Sequence, residues 1–417
     1  MEFCHLTESE YQQFQQQHPY GNFMSAMESM HVKEDEGWKV ELVGVKENGK
    51  IVLATPLTSI PVMKVYRYYY AQRGFLMDYH RMDVLNFFTA EIKKYLKKQK
   101  GLYLEVDPNV LYKERDIDGN LVPDGFDNSY VVENMKKAGY IHQGFTRGYG
   151  SGQMRWIFSL YLQNRDAQTM LKSFHQQTRW SINRTKKEGV QVRELGLDEV
   201  DIFLDMMKET AQRRGFEERD RNFYISQIKE FTKINHGKLL LAYLDLDAFK
   251  DNLVQEQKQL EAEKAEVDAK LEKIPNSKKF VKRAKVLTEN LEINAKKQDR
   301  ANQLKKQYGS VLNMATTFFI ISNGEVVYMH SATNDAFRKF YAPYALQWYM
   351  IQYAIEHHID RYDFYGISGI FDKDDPSYGV YDFKRGFTGQ VEELVGVFIL
   401  PIHEHAYKIY QKLNAIV

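Results

Sequence analysis

One cysteine in 417 residues, Cys4, excludes an internal disulfide and any zinc site assembled from thiolates. No neighbouring residue equips that thiol as a nucleophile. Charge of one sign is also missing: 57 basic residues face 56 acidic ones, a net of +1. A generally cationic coat is therefore absent, and contact with nucleic acid or anionic lipid has to come from local patches. No apolar run approaches the ~18 residues a membrane helix needs. The opening MEFCHLTESEYQQF is too polar for a signal peptide, so the protein is expected in the cytoplasm, with any membrane contact peripheral. GxSxG, HExxH and P-loop patterns are absent, which removes the usual residues of serine hydrolases, zinc proteases and Walker-type NTPases.

What is present suits a folded protein of two or three domains, with 43% hydrophobic and 14% aromatic residues. The 28 tyrosines need partners for their hydroxyls and favour polar grooves over a dry aliphatic bundle. In KVELVGVKENGKIVLATPLTSIPV, Asn48-Gly49 marks a hairpin between two strands, and RYYYAQRG reads as a third. MDVLNFFTAEIKKYLKKQKG has helical spacing and ends in lysines and Gly101; LYLEVDP is then a strand broken by Pro108. The order repeats later. KLLLAYLD and TTFFIISNGEVVYMHSA are strands, the latter a pair turning at Asn323-Gly324, followed by the helix APYALQWYMIQYAIEHHI and the strand RYDFYG. This predicts an α/β (α+β) fold duplicated in tandem, with mixed, mostly antiparallel sheets. The expected divisions are 1–145 for the first unit, and 146–245 with 309–390 for the second. Residues 391–417 are expected to form a C-terminal strand and helix that pack back on the first unit.

Between the parts of the second unit, 246–308 is rich in Lys, Glu and Gln. Leu253, Leu260 and Val267 fall seven apart, Leu271 and Ile274 follow, and Ala284, Leu287 and Leu291 resume the pattern after Pro275. The spacing predicts an antiparallel two-helix coiled coil turning at 275–279, either a solvated arm or a docking arm for a bulky partner.

The basic segment FHQQTRWSINRTKKEGVQVREL places His175, Arg179, Arg184, Lys186, Lys187 and Arg193 around Trp180, a combination suited to phosphate contact with stacking. An ordinary amphipathic helix accounts for it equally well. In AQRRGFEERDRNFY, Arg213, Arg214, Arg219 and Arg221 alternate with acids, either bridging one another or gripping a diphosphate. The run from Arg147 to Gly152 fits the R-x-x-G-x-G loop that cradles coenzyme A. A strand-like MRWIFSLYL follows it, where that loop needs a helix N-terminus. His357 and His358 precede Asp360 without further ligands at metal spacing, so no metal is expected.

SIPVMKVYRYYY, AQRGFLMDY, LYLEVDP, RTKKEGVQVREL, AFRKFYAPYALQWYMIQYAI with DRYDFYGISGIF, and VYDFKRGFTGQVEELVG stand in an order shared by the Fem family of non-ribosomal peptidyltransferases. The chain resembles that family over nearly its whole length, insert included. The resemblance implies two tandem GNAT-like (acetyltransferase-like) subdomains and, in the FemA type, a coiled-coil arm. It implies transfer of an amino acid (Gly, Ala or Ser) from aminoacyl-tRNA to the lysine, or growing cross-bridge, of a peptidoglycan precursor, without cofactor or metal. A lysine amine with its ordinary pKa of about 10.4 is neutral only once in a few thousand at pH 7, a deficit of roughly 4–5 kcal/mol that the site has to offset.

By resemblance, Asp107 matches a carboxylate placed near that amine, although a strand-end residue before Pro108 is an equally simple reading. Lys33 and Arg219 match side chains that grip the precursor's diphosphate; Lys384, with Phe383 before it, matches a lysine at the acyl-tRNA end. Arg179, Arg184, Lys186 and Lys187 are the tRNA-binding candidates. Tyr328 matches a retained tyrosine of the FemX uridylate site, whereas Phe223, His330 and Glu217 replace two tyrosines and a threonine there. Those departures favour lipid II over a free UDP-MurNAc-pentapeptide as acceptor, met at the inner membrane face. A homodimer or a related Fem-type partner is compatible with the arm. A CoA-dependent N-acyltransferase and an inactive cell-wall adaptor are the alternatives.

Overall fold

The structure is a computed structural model and describes residues 1–150 and 152–414. Its first half is built on a hairpin whose turn residues, Asn48 and Gly49, take positive φ values of 49° and 76°. Two left-handed residues give the turn a twist that matches the flanking strands. Before it lie β1 (Glu2–His5), α1 (Glu8–Gln17) and α2 (Met27–Asp35). The hairpin is β2 (Lys39–Glu47) and β3 (Lys50–Val62), followed by β4 (Tyr66–Ala71) and the short β5 (Leu76–Met77). Helix α3 (Met82–Lys98) buries Val84, Leu85, Phe88, Ile92 and Leu96 on one face, the helical spacing seen in the sequence. Next come β6 (Gly101–Val106), α4 (Ser129–Lys137) and β7 (Ile141–His142). One detail differs from the sequence reading: the left-handed residue after α3 is Lys100 (φ 56°), and Gly101 begins β6. A Cβ on Gly101 would stand 3.1 Å from Leu96 and 3.3 Å from Tyr69, so the glycine serves close helix–strand packing.

The second half begins with β8 (Trp156–Tyr161), α5 (Ala167–Ser173), α6 (Gln176–Lys187) and β9 (Gln191–Glu194). Then come α7 (Val200–Arg214), α8 (Arg221–Thr232) and β10 (Gly237–Asp245). The arm is α9 (Leu246–Lys273) and α10 (Lys278–Tyr308). β11 (Val311–Ser322) and β12 (Glu325–Thr333) form the second hairpin, again closed by two left-handed residues, Asn323 and Gly324. The chain ends with α11 (Ala342–Glu356), β13 (Arg361–Ile367), α12 (Tyr378–Arg385), β14 (Gln390–Glu393), β15 (Phe398–Pro401) and α13 (Glu404–Asn414).

Two mixed sheets result, ordered β1-β2-β3-β4-β6-β15-β7, with β5 on β3, and β9-β10-β11-β12-β13-β8-β14. Position by position they match. β4 runs parallel to β6 across the α3 crossover, and β12 parallel to β13 across α11. The next two strands are antiparallel in both sheets. The sixth position differs in origin. In the first sheet it is filled by β15, from the far end of the chain; in the second it is filled by β8, which directly follows the first half. Only the first sheet is completed by a strand from outside its own sequence block; the second draws all seven of its strands from 156–393.

In the arm, Leu253, Val267 and Leu287 are buried between the helices, and Leu260, Leu271, Ala284 and Leu291 are half-buried. Ile274, expected in the seam, is 56% exposed at the tip, because the turn has already carried it past the last facing residue of α10. From Leu287 the seven-residue spacing continues through Asn294 and Ala301. Asn294 donates to the Leu253 carbonyl and the Glu256 carboxylate, both at 3.0 Å. A polar seam residue of this kind fixes register. At the root, Arg300 lies 4.5 Å over the Phe340 ring and pairs with Glu188.

Candidate active site

On one face of the first sheet, β4 contributes Tyr68 and Tyr70, and β6 contributes Tyr103 and Glu105. The register sets Tyr68 against Tyr103 and Tyr70 against Glu105. Asp107 follows just beyond β6. Its Oδ1 accepts the Arg73 backbone N–H at 2.8 Å, and its Oδ2 lies 3.2 Å from Arg73 Nη1, both side chains 3% exposed. Burial raises the Asp107 pKa above the usual carboxylate range, and the Arg73 charge works against that rise. Arg73 in turn donates from Nη2 to the Met154 carbonyl at 2.9 Å, which ties the first half to the segment entering the second.

Across that seam lies the second sheet. β12 and β13 are paired only from Glu325↔Arg361 to Val327↔Asp363, although both strands continue; β4 and β6 stay paired to Ala71↔Val106. Just past the last pair, Tyr365 adopts φ 63°, the left-handed region that a bulky residue occupies only at a cost of about 1–3 kcal/mol. Its conformation is held from both sides. The Tyr365 N–H donates to Asp363 Oδ1 at 2.6 Å, and Lys384 of α12 donates to the carbonyls of Tyr365 (3.2 Å) and Gly366 (2.6 Å). Lys384 is buried, which lowers its pKa to about 7, with Asp363 pulling the other way. A Cβ on Gly366 would sit 2.3 Å from Met154, so only glycine lets Met154 close the seam. Asp107, Arg73, Met154, Gly366 and Lys384 thus form one continuous chain of contacts between the two sheets.

Helices α2 and α8 pair the halves a second time, antiparallel to one another. Ser226 donates to Asp35, His31 faces Glu230 at 3.2 Å, and His236 faces Glu28 at 3.2 Å. That register brings the end of α2, with Lys33 and Trp38, alongside the start of α8, with Arg219 and Phe223. Lys33 lies 4.9 Å over Trp38 and bonds Glu36; exposed Arg219 lies 5.3 Å over Phe223. His330 stands 6.0 Å from Phe223, donates from Nε2 to Gln227 Oε1 at 2.8 Å, and is held down to a pKa of about 4 by burial and Arg219. Burial pushes the Tyr365 hydroxyl up to about 12, with the Arg73 charge pulling the other way.

Two expected members lie elsewhere. A register shift in β12 between its partners Phe318 and Phe319 turns Tyr328 towards the α11 core, where it bonds Ser331 at 2.7 Å, away from Phe223 and His330. Phe383 packs 5.0 Å from Tyr344 of α11, whereas Lys384 turns to the Tyr365 and Gly366 carbonyls. The tRNA candidates on α6 also divide. Arg179 caps the Lys172 and Phe174 carbonyls, and Arg184 pairs with buried Glu188, so neither guanidinium is free. Lys186 and Lys187 are exposed, as is Trp180, which packs 5.1 Å from Tyr341. Arg193 pairs with Glu199, Arg221 with Asp201, and Arg213 with Thr333, so the arginine run does not bridge within itself. The glycine run at Arg147 includes Ser151, outside the described residues; β8 follows it. His357 stacks 3.8 Å from Tyr353, and no cluster of metal-ligating side chains occurs among the described residues.

Three site residues escaped the sequence reading: Arg73, Tyr365 and Glu105. The signal for Glu105 was present in LYLEVDP, where strand alternation puts Tyr103, Glu105 and Asp107 on one face. Arg73 gave none because its side-chain partners, Asp107 and Met154, lie far along the chain, and Tyr365 gave none because it matters through backbone geometry.

Two mixed sheets of matching strand order, joined by a buried polar seam, make a duplicated α/β scaffold. The comparisons give the rest. The FemAB family matches residues 6–415. A Staphylococcus epidermidis "Aminoacyltransferase FemA" is 35% identical over 418 residues, covering 99% of each chain. The Staphylococcus aureus (strain MRSA252) protein of the same name is 34% identical over 418 residues, covering 100% of this chain and 99% of its own. The crystal structure of FemX superposes with a TM-score of 0.85 at 24% identity, covering 98% of this chain and 99% of that one, which shows the shared fold. The chain belongs to the FemAB family, and it is an aminoacyltransferase.

Proposed function

We propose that the protein transfers Gly, Ala or Ser from a charged tRNA to the lysine side chain, or partly built bridge, of a peptidoglycan precursor. The acceptor is lipid II rather than UDP-MurNAc-pentapeptide, reached by peripheral contact with the inner membrane face. The observation that carries the reading is the seam itself. A carboxylate-bearing tyrosine groove on one sheet and the Lys384–Tyr365 bulge on the other are joined by Arg73 and Met154, so two substrates bound to different halves meet there. Holding two large reactants in contact supplies much of the acceleration when the ester is already activated.

Arg219 and Lys33, at the α2–α8 junction, supply fixed positive charge for a diphosphate. Phe223 and His330 beside them offer a flatter, less hydrogen-bonding surface than a uridine pocket needs, which supports the lipid-linked acceptor. Lys384 orients the acyl-tRNA end through the Tyr365 bulge. Trp180, Lys186 and Lys187 on α6 form the RNA-facing patch, with the arm rooted beside them. The test combines purified protein, lysine-containing lipid II and tRNAs charged with Gly, Ala or Ser. Isopeptide product that vanishes with RNase is expected. Product that requires acyl-CoA instead, or none with any donor, overturns the reading.

A further inference from the structure

Glu105 is the one carboxylate of the groove that the fold leaves without a cation. Asp107, two residues on, is paired with the Arg73 guanidinium and accepts the Arg73 backbone N–H at Oδ1, its buried Oδ2 making no hydrogen bond. Glu105 is only partly exposed, yet among the described residues no cationic side chain lies against it. The groups facing it are phenols and one acid. From β4 come Tyr68 and Tyr70, from β6 Tyr103 and Asp107, and from α13 Tyr407. Arg73 lies beyond Asp107, which takes up its charge. The groove walls are aromatic: Tyr68 stands 4.9 Å from Tyr103, 6.3 Å from Tyr70 in a stacked arrangement, and 5.9 Å from Trp38, while Tyr407 closes on Tyr103 at 4.9 Å. Aromatic faces around one unneutralised carboxylate attract a small organic cation, most simply a primary ammonium.

We propose that Glu105, and not Asp107, receives the acceptor's primary amine and takes its proton. This rests on the transferase reading above and names the base within it. In the step, the ammonium first gives a proton to the Glu105 carboxylate. The freed amine nitrogen then bonds the ester carbonyl carbon, and the bond from that carbon to the tRNA ribose oxygen breaks. The second nitrogen proton goes to the departing ribose oxygen, and Glu105 returns the first to water, so the amide keeps one N–H. Asp107 is a positioning residue that fixes Arg73 and adds negative charge beside Glu105. Burial, with Asp107 adjacent, raises Glu105 to about 7, which suits a group that must both accept and release a proton near neutral pH.

The test uses the full-length protein and two stem pentapeptides, one with L-lysine at its third position and one with norleucine there. By calorimetry the wild type is expected to bind the lysine peptide at least about tenfold more tightly, and Glu105→Gln to lose that preference. Glu105→Gln should also lose the rise in kcat through pH 7 in the charged-tRNA assay and fall about 100-fold or more in kcat. Asp107→Asn should keep the peptide preference. Equal binding of the two peptides by the wild type, or a preference unchanged in Glu105→Gln, overturns the proposal. A preference that depends on Glu105 in a protein that transfers from no charged tRNA would instead sink the donor assignment and leave the amine site standing.

Discussion

At the scale of single residues, two buried charges carry opposite burdens. Lys384 has a folded pKa of about 7 against an ordinary 10.5. Between those values the unfolded chain binds the proton more strongly than the native protein, so stability rises with pH across that window, at most by about 1.4 kcal/mol per pH unit. Lys384→Met should remove this slope. Urea midpoints of wild type and variant from pH 7 to 9 would show it; parallel pH dependences would mean the ammonium is not desolvated as the burial implies. The same variant frees the Tyr365 and Gly366 carbonyls, so its turnover should fall through loosening of the bulge. Asp107 presents the reverse case. Truncating it to alanine strands the Arg73 guanidinium in a buried seam, at a cost of about 3–5 kcal/mol. A loss below about 1 kcal/mol by denaturant titration would show that the pair does not hold the halves together. Restoring a neutral seam with Arg73→Met in the same chain should recover part of it.

Elements were the most legible level, and the reasons are local. Asn48-Gly49 and Asn323-Gly324 announce hairpins because only residues tolerant of positive φ fit those turns. α3 announces itself through five buried residues at helical spacing. The arm was legible through its heptads, but Asn294 was passed over because a polar residue in an apolar seam breaks the pattern being sought. It now yields a prediction. Asn294→Leu should leave the arm as stable or more stable by about 1 kcal/mol, since a buried polar group is replaced by packing, while relaxing the register it enforces. Amide exchange along α9 and α10 reports both; a marked loss of protection would show that the hydrogen bonds to Leu253 and Glu256 are net stabilising. On α6, basic composition pointed to four candidates, yet only geometry separates the capped Arg179 and paired Arg184 from the free lysines. Lys186→Glu with Lys187→Glu should weaken binding of charged tRNA at least about tenfold and flatten its salt dependence, with the thermal transition unmoved. Unaltered binding in a gel-shift titration would remove α6 from the RNA surface.

At the scale of the whole molecule, the duplication could be read from the repeated order of hairpin, helix and strand, and a return of the C-terminal strand to the first unit was expected, but its place between β6 and β7 could not be read. β14 and β15 are four residues each, too short for periodicity to distinguish their faces, and β8 gives no sign of which sheet it joins. Pairing partners are a tertiary fact. That placement has a thermodynamic consequence, because removing β15 exposes β6 on one edge and strands β7, while removing β8 separates β13 from β14. The first sheet cannot close without β15, which reaches it only after the chain has passed through the second half, and Arg73 bonds the Met154 carbonyl that leads into β8. The halves should therefore unfold as one cooperative unit despite their two cores. Trp38 reports on the first half, and Trp156 and Trp348 on the second. In single-tryptophan variants, urea curves followed by fluorescence should coincide with each other and with the loss of circular dichroism. Deleting 397–417 should collapse the Trp38 transition and also destabilise the second half, because β15 is the strand that locks the seam between Glu393 and β6. Two separated transitions would mean that β15 and the Arg73–Met154 link do not couple the sheets. The cleft would then be a contact between independent bodies, with its geometry set by substrate and not by the fold.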